Sequence, residues 1–347
     1  MPESTDKLVE LVGSLSNPAC YDHPTGTVQD IETHISHVLL TGQFAYKIKK
    51  PLDLGFLDFS TLAKRLHACQ EEVRLNRRLA PAVYIDVVPI TGTPAAPRIN
   101  GKGGAFEYAV KMRQFPPDAT LDRLEAQGRL TAPHIETLAA TVARFHLQDC
   151  AQAGEDSEWG SPDKVWQPVA QNFLQIAPRL TDAADRQQID ALQRWSETEH
   201  ARLTPLLAAR KRDGFIRECH GDLHLGNLAW VDEQLLVFDC LEFNPGLRWI
   251  DIQSEVAFCY MDLIQHGHAD WAWLFLNSWL EKTGDYAGLA LLRFYAVYRA
   301  LVRVKVAVLR AGQTTGAARD HALDEARTIL NLATSLTVKT LIPLSSR

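Results

Sequence analysis

The sequence predicts an α+β protein in two lobes: a small antiparallel sheet with one helix, then a larger, mainly helical part. Three observations predict it. Short apolar and alternating runs bounded by Gly and Pro fill residues 33–115, and one helical run interrupts them. The pair Pro116–Pro117 ends that pattern sharply. From about residue 118 the apolar period is helical, broken by one small hairpin. The expected lobes are 1–115 and 116–347, and a chain of 347 residues has room for two at roughly 150 residues each.

The elements follow in order. KLVELVGSL (7–15) reads as a short helix. THISHVLLT (33–41) and FAYKIKK (44–50) flank Gly42-Gln43 and read as a hairpin. On its second strand Ala45, Lys47 and Lys49 share one face, and Phe44, Tyr46 and Ile48 the other. Ser60 or Thr61 can cap a helix running to about Leu79, which Pro81 stops. YIDVVPI (84–90) is a strand, 91–104 a turn-rich connection, and AFEYAVKMRQF (105–115) a second strand. LDRLEAQGRL and PHIETLAATVARFHLQ read as helices, and 151–168 as a polar connection. Helices resume at 169–180 and 183–209. NLAWV (227–231) and QLLVFD (234–239) surround the turn Asp232-Glu233. From Asp251 onward the chain is helical again, including the long stretch 288–311.

Composition narrows the class. With 46% hydrophobic and 22% charged residues the chain is an ordinary globular one, not collagen-like or disordered. No run of about 18 apolar residues is present to span a bilayer. The start, MPESTDKLVELVG, lacks the basic and apolar regions of a secretory signal, so a cytoplasmic protein with no membrane partner is expected. The six cysteines include no CxxC pair, which argues against a zinc ribbon or a disulfide scaffold. They read as small buried hydrophobes. A net charge of -6 argues against nucleic acid as a partner. Residues 1–115 carry about +1 and the remainder -7.

The chemistry concentrates in HGDLHLGNLAWVDEQLLVFD (220–239). Asp222 follows His220 by two, Asn227 follows Asp222 by five, and Asp239 ends an apolar strand after a hairpin. Phosphoryl transfer needs such a set: a carboxylate to orient a hydroxyl, with an amide oxygen and a second carboxylate to hold Mg²⁺ against phosphates. A short loop can present Asp222 and Asn227 to one point, and a strand end can aim Asp239 at it. A metallohydrolase using His220, Asp222 and His224 is an alternative, since two histidines around an Asp can bind a transition metal.

HGDLHLGN followed by FDCLEF resembles the aminoglycoside phosphotransferase and choline kinase-like superfamily, within the protein-kinase-like fold. The resemblance implies an ATP- and Mg²⁺-dependent phosphotransferase. It makes Asp222 the catalytic aspartate, Asn227 and Asp239 the metal ligands, and His220 a structural histidine. Gly221 stands where protein kinases carry Arg. The resemblance also calls for a phosphate-binding lysine, Lys47 with Lys49 as the alternative, and a helix glutamate, Glu72 with Glu71 as the alternative. Met112, Gln114 and Phe115 then fall on the hinge strand that binds adenine. His146 becomes a packed structural residue, and Asp251 a structural aspartate whose simplest role is a helix N-cap. No G-x-G-x-x-G precedes Lys47, and no G-x4-G-K-[ST] occurs. The run LLTGQFAYKIKKPLDLGFLDFSTLAKR with EEVRLNRRLAP is similar to the kinase-like half of bacterial two-domain proteins that pair this module with a P-loop ATPase. A separate P-loop ATPase is therefore a candidate partner.

The expected reaction is transfer of the γ-phosphate of ATP to a small-molecule hydroxyl. The acidity of the second part points to a cationic acceptor, an aminoglycoside or another amino sugar. Trp159 and Trp166, beside the expected acceptor site, are candidates to stack on it. Two other readings stay open: a nucleotide-binding regulatory or degenerate kinase, and nucleotidyl transfer on the same fold.

Overall fold

In the computed structural model, which describes residues 2–55 and 57–338, the chain opens with helix α1 (Pro2–Leu15). Met1, Phe56 and 339–347, which complete the expected lobes, lie outside the described residues. Leu8, Leu11, Val12 and Leu15 make the buried stripe of α1 at the 3-and-4 spacing of a helix. Strands β1 (Gln29–Glu32), β2 (Ser36–Leu40) and β3 (Phe44–Lys49) follow. Helix α2 (Leu62–Asn76) comes next, and Thr61 is its cap, its hydroxyl accepting from Lys64 N–H at 3.3 Å. Strands β4 (Tyr84–Thr93), β5 (Ala96–Ile99) and β6 (Ala105–Arg113) and the short α3 (Leu121–Ala126) complete the N-terminal stretch.

The strands form one antiparallel sheet in the order β1-β2-β3-β6-β4-β5. Both faces are covered. On one, α1 packs over Leu39, Tyr46, Ile48 and Ile90. On the other, Cys69 and Val73 of α2 pack over Tyr84 and Val110. Two strands escaped the sequence reading. β1 is exposed at every residue, so it carries no apolar alternation. β5 lies inside the turn-rich connection and contains Pro97, which an edge strand tolerates because an edge has unpaired N–H positions.

The chain continues through α4 (Ala132–Arg144), a π-turn at Phe145–Asp149, α5 (Pro162–Ile176), α6 (Ala183–Arg212) and β7 (Ile216–Glu218). α5 begins well before the expected residue 169. Ser161 caps it and Pro162 takes the first helical position, where its missing N–H costs nothing. Pro168 sits inside that helix and removes one hydrogen bond, which burial of Val169, Phe173 and Ile176 offsets. The hairpin β8 (Leu228–Val231) and β9 (Gln234–Val237) closes through Asp232 and Glu233, at φ 49° and 59°. Positive φ at both central residues makes a primed turn, whose twist suits a two-residue hairpin. Then come α7 (Pro245–Arg248), β10 (Trp249–Asp251) paired with β7, α8 (Ile252–Gln265), α9 (Ala269–Thr283), α10 (Leu289–Gln313) and α11 (Gly316–Thr337). Every residue of α8 from Ile252 to Leu263 is buried, and α9 and α10 pack on it. All six cysteines are buried, and none of them forms a disulfide among the described residues.

The chain divides into two compact units. One joins Met1–Arg129 to Gly226–Pro245; the other joins Leu130–Leu225 to Gly246–Arg347. Asn227 and Asp239 thus belong with the sheet, and Asp222 with the helices.

Candidate active site

In the sheet unit the charged residues centre on Glu72. Lys47 and Lys49 alternate along β3 and point the same way, into the α2 side of the sheet. Lys47 Nζ donates to Glu72 Oε1 at 2.9 Å and to Asp239 Oδ1 at 2.5 Å. Lys49 donates to the other oxygen of Glu72 and to Glu242. Glu72 and Lys49 are fully buried, and Lys47 nearly so. The alternative Glu71 lies at the surface, paired with Arg74. Both lysines of the sequence reading therefore meet Glu72, and Lys47 alone of the two reaches Asp239.

Three carboxylates around two ammonium groups set the electrostatics. Burial works against the Lys47 ammonium, but Asp239, Glu72 and Glu242 together hold its pKa well above the ordinary lysine value. Lys49 is raised in the same way, against burial, by Glu242 and Glu72. Glu242 is pushed up, by burial first and by the neighbouring Glu72.

Helix α2 and the hairpin fix the loop that carries Asp239. Asn76 donates to the Glu72 carbonyl at 2.9 Å and accepts from Cys240 N–H at 2.9 Å. The Asp239 N–H donates to the Tyr84 hydroxyl at 3.1 Å. Asp239 itself stands at φ 62°, a left-handed conformation rare for side chains other than Asn and Asp. Asn227 lies at the open end of the same hairpin, its carbonyl accepting from Phe238 N–H at 3.0 Å. The β8–β9 register thus brings Asn227 next to the strand end that leads into Asp239.

Of the residues expected at the hinge, Met112 lies near the end of β6, and Gln114 and Phe115 follow it. Met112 pairs with Ala45 on one side and Tyr84 on the other. Gln114 N–H donates to the Gln43 carbonyl at 3.1 Å, and its side chain accepts from Gly42 N–H at 2.8 Å. Phe115 packs on Phe238, ring centroids 5.2 Å apart.

In the helical unit two carboxylates of α8 hold the loop bearing Asp222. Glu255 Oε1 accepts from His220 N–H at 2.7 Å and from Gly221 N–H at 2.9 Å. Asp262 accepts from Leu225 N–H at 2.8 Å. Arg299 of α10 donates to the Gly221 carbonyl at 2.9 Å. Gly221 takes φ 90°, which Arg, or any other residue with a Cβ, would adopt only with strain. His220 accepts from Asp222 N–H at 3.3 Å through Nδ1, a structural role. His146 is buried; Trp279 donates to its Nδ1 at 3.2 Å, so its Nε2–H donates to Glu255 at 2.9 Å. Burial would raise Glu255, but His146, His220 and the loop N–H groups hold it down to about 2. Asp222 is partly exposed. Burial acts to raise it, yet His224, His220 and Arg303 hold it well below the usual carboxylate range.

Other expectations resolve locally. Asp251 caps α8, accepting from Gln253 N–H at 2.9 Å, and is held by Arg210. Trp166 lies in α5 against His200 of α6, ring centroids 5.2 Å apart, not in a loop. Among the described residues the His, Cys and acid side chains close enough to share an ion are His146, Cys219 and Glu255. The trio His220, Asp222 and His224 does not form such a group. Sequence reasoning missed Lys49 as a full partner of Glu72, and also Glu242, Asn76, Glu255, Asp262 and Arg299. One signal was available: two acids seven residues apart in the otherwise apolar run of α8.

Comparison with known proteins agrees. The model of the phosphotransferase enzyme family, APH, matches residues 57–309. Uncharacterized proteins of Mycobacterium tuberculosis (strain ATCC 25618 / H37Rv) and Mycobacterium bovis are each 30% identical over 284 residues, 81% of this chain and 55% of theirs. The chain thus spans about half the length of the curated relatives it matches. Choline kinase from Cryptosporidium parvum Iowa II superposes with a TM-score of 0.54 at 9% identity, covering 95% of each chain. The GDP complex of aminoglycoside 2'-phosphotransferase-IIIa gives 0.53 at 13% identity, over 91% of this chain and 95% of that one. ADP-bound aminoglycoside phosphotransferase APH(2'')-Ib gives 0.50 at 11%, over 95% and 99%. Among the described residues no helix is long and apolar enough to cross a membrane. The chain belongs to the phosphotransferase enzyme family and has the kinase-like fold of choline kinase and the aminoglycoside phosphotransferases.

Proposed function

We propose that the protein transfers the γ-phosphate of ATP to a hydroxyl group of a small molecule, as a cytoplasmic enzyme. The observation that carries this reading is Lys47, held between Glu72 and Asp239. In phosphoryl transfer a buried lysine paired with a helix glutamate positions phosphates, and a carboxylate beside it holds metal. Lys47 takes the phosphate role because it alone of the two lysines touches Asp239.

The residues fit Mg²⁺. Asn227, just before β8, and Asp239, just after β9, offer hard oxygen donors at the open end of one hairpin, and the cluster holds more carboxylates than lysines. Bound there, the ion would neutralise charge on the phosphates. The protein's own residues do the rest. Lys47 steadies the phosphate chain from the sheet side. The end of β6 at Met112 and the segment after it, Gln114 and Phe115, offer backbone groups to adenine: among the described residues the Phe115 N–H and C=O and the Gln114 C=O have no hydrogen-bond partner. Asp222, ionised and fixed by its loop, orients the acceptor hydroxyl and takes its proton as the new P–O bond forms and the bond from the γ-phosphorus to the departing ADP breaks.

The test is ATP turnover with Mg²⁺ across a panel of hydroxyl acceptors, in wild type, Asp222→Asn and Asp239→Ala. Phosphorylated acceptor that disappears in both variants supports the reading; absence of nucleotide binding sinks it. Aminoglycosides stay in the panel, because the acidity that suggested them belongs to the whole second part of the chain. The P-loop ATPase partner rests on resemblance alone, and turnover with and without such a protein tests it.

A further inference from the structure

Asp222 is ringed by basic groups. His224 Nε2 lies 3.4 Å from Asp222 Oδ2. Asp222 and Asp262 raise the His224 imidazole against its burial, which favours its cationic form. Arg303 follows Arg299 by four residues on α10, and residues four apart share a helix face. Since Arg299 grips the Gly221 carbonyl, Arg303 stands one turn along beside the same loop. Its charge reaches both Asp222 and His224.

The two arginines differ in one respect. Arg299 is buried and fully engaged, with Nε on the Ser254 carbonyl at 3.1 Å and Nη2 on its hydroxyl at 3.1 Å. Arg303 is partly buried and makes no hydrogen bond or ion pair among the described residues. A guanidinium half withdrawn from water, with an open donor fork, is complementary to a carboxylate or phosphate. The other acid whose charge acts on His224 is Asp262; one of its oxygens is taken by Leu225 N–H, and the other is buried without a hydrogen-bond partner among the described residues.

We propose that the acceptor carries an anionic group, a carboxylate or a phosphate ester, which Arg303 and His224 hold while its hydroxyl meets Asp222. The inference rests on the phosphotransfer reading and names its substrate class. A polycationic amino sugar would bring ammonium groups against Arg303 and His224, and like charges brought together discriminate against such a ligand.

The experiment is calorimetric titration of the full chain with Mg²⁺ and a non-hydrolysable ATP analogue present. The probes are glycerate, fructose 6-phosphate, glucose and kanamycin, against wild type, Arg303→Met and Arg303→Lys. Glycerate or fructose 6-phosphate should bind at least about tenfold more tightly than glucose and kanamycin, the scale of a charge-assisted hydrogen bond. Arg303→Met should remove about that factor and Arg303→Lys should keep part of it, since a lysine retains the charge without the fork. Whichever of the two anions binds identifies carboxylate or phosphate. Tighter binding of kanamycin or glucose, no binding of either anion, or equal affinity in folded Arg303→Met overturns the proposal. Nucleotide binding, measured first in the same titration, separates the two failures. An ATP analogue that does not bind wild type sinks the phosphotransfer reading; intact nucleotide binding with no effect of Arg303 sinks only the acceptor class.

Discussion

Glu255 and Asp262 stand two helical turns apart on α8 and hold the two ends of the loop that carries Asp222. Residues seven apart lie on one face of a helix, so a single buried rod sets the length of that loop. Position is then a property of the rod, and the loop has little freedom of its own.

Removing the charge from one end should show this. Glu255→Gln is expected to cost about 3 kcal/mol, the range for a buried, hydrogen-bonded carboxylate. The folded pKa of Glu255 lies below its ordinary 4.5, at about 2. Its contribution is therefore fully present above pH 4.5 and lost as pH falls toward 2. Urea unfolding followed across that window should fall less steeply in Glu255→Gln than in wild type. Equal slopes would refute the assignment.

The two lysines of β3 should separate by what they control. Lys49→Met leaves Glu242 and one oxygen of Glu72 buried without their cation, a loss of about 3–5 kcal/mol. Lys47→Ala leaves Glu72 still held by Lys49, and its other partner Asp239 is 44% exposed, so the cost is about 1 kcal/mol. That variant should instead raise the KM for ATP by about tenfold or more, as loss of a charge-assisted phosphate contact does. Denaturation midpoints and steady-state kinetics on both variants check the ranking; the reverse order would be fatal to it.

Activity should persist at low pH. Asp222 must be ionised to take a proton, and its pKa is held below the usual carboxylate value. The acid limb of kcat/KM should therefore lie below the ordinary Asp range. His224 is the leading charge that lowers Asp222, so His224→Asn should move that limb upward by about one unit. An unmoved limb would show that the imidazole does not set it.

The Mg²⁺ ligands proposed above, Asn227 and Asp239, make a separate prediction. Asp239→Asn keeps a side chain that tolerates positive φ, so the fold should melt as wild type does. The Mg²⁺ concentration for half-maximal activity should rise about tenfold or more in Asp239→Asn and in Asn227→Ala, since each loses one oxygen donor or its charge. A magnesium titration of initial rates measures it, and an unchanged requirement would remove both residues from the ligand set.

The hairpin turn is open to improvement. Asp232 and Glu233 both sit at positive φ, where Asn-Gly fits without strain. Replacing the pair by Asn-Gly should stabilise the hairpin by about 1 kcal/mol, mostly by relieving Glu233. Thermal unfolding should rise by a few degrees, with the ATP KM unchanged.

Much of this was legible in the sequence, and the rest has physical reasons. The sheet-then-helix layout showed in the periodicity, and the hairpin between Asn227 and Asp239 in its alternation and turn. Lys47 and Glu72 could be preferred, but Lys49 and Glu71 stayed open as alternatives. A charged residue on a strand or helix face looks the same whether the face meets water or another carboxylate. Glu71 turned out to face Arg74 at the surface, Glu72 the core. The three-residue strands β7 and β10 are too short to carry a period. α5 was hidden because two prolines frame its first turns.

The lysines of β3 have a last consequence, for folding. Side chains alternate along a strand, so slipping β3 by one residue would turn Lys47 and Lys49 toward the face packed under α1. Tyr46 and Ile48 would then meet Glu72 and Glu242 in their place. Two ammonium groups would enter an apolar layer as two carboxylates lost their counterions. The misregistered sheet is penalised twice, once on each face. The same pair of charges that brackets Glu72 thus acts as a proofreading mark on the strand that carries it.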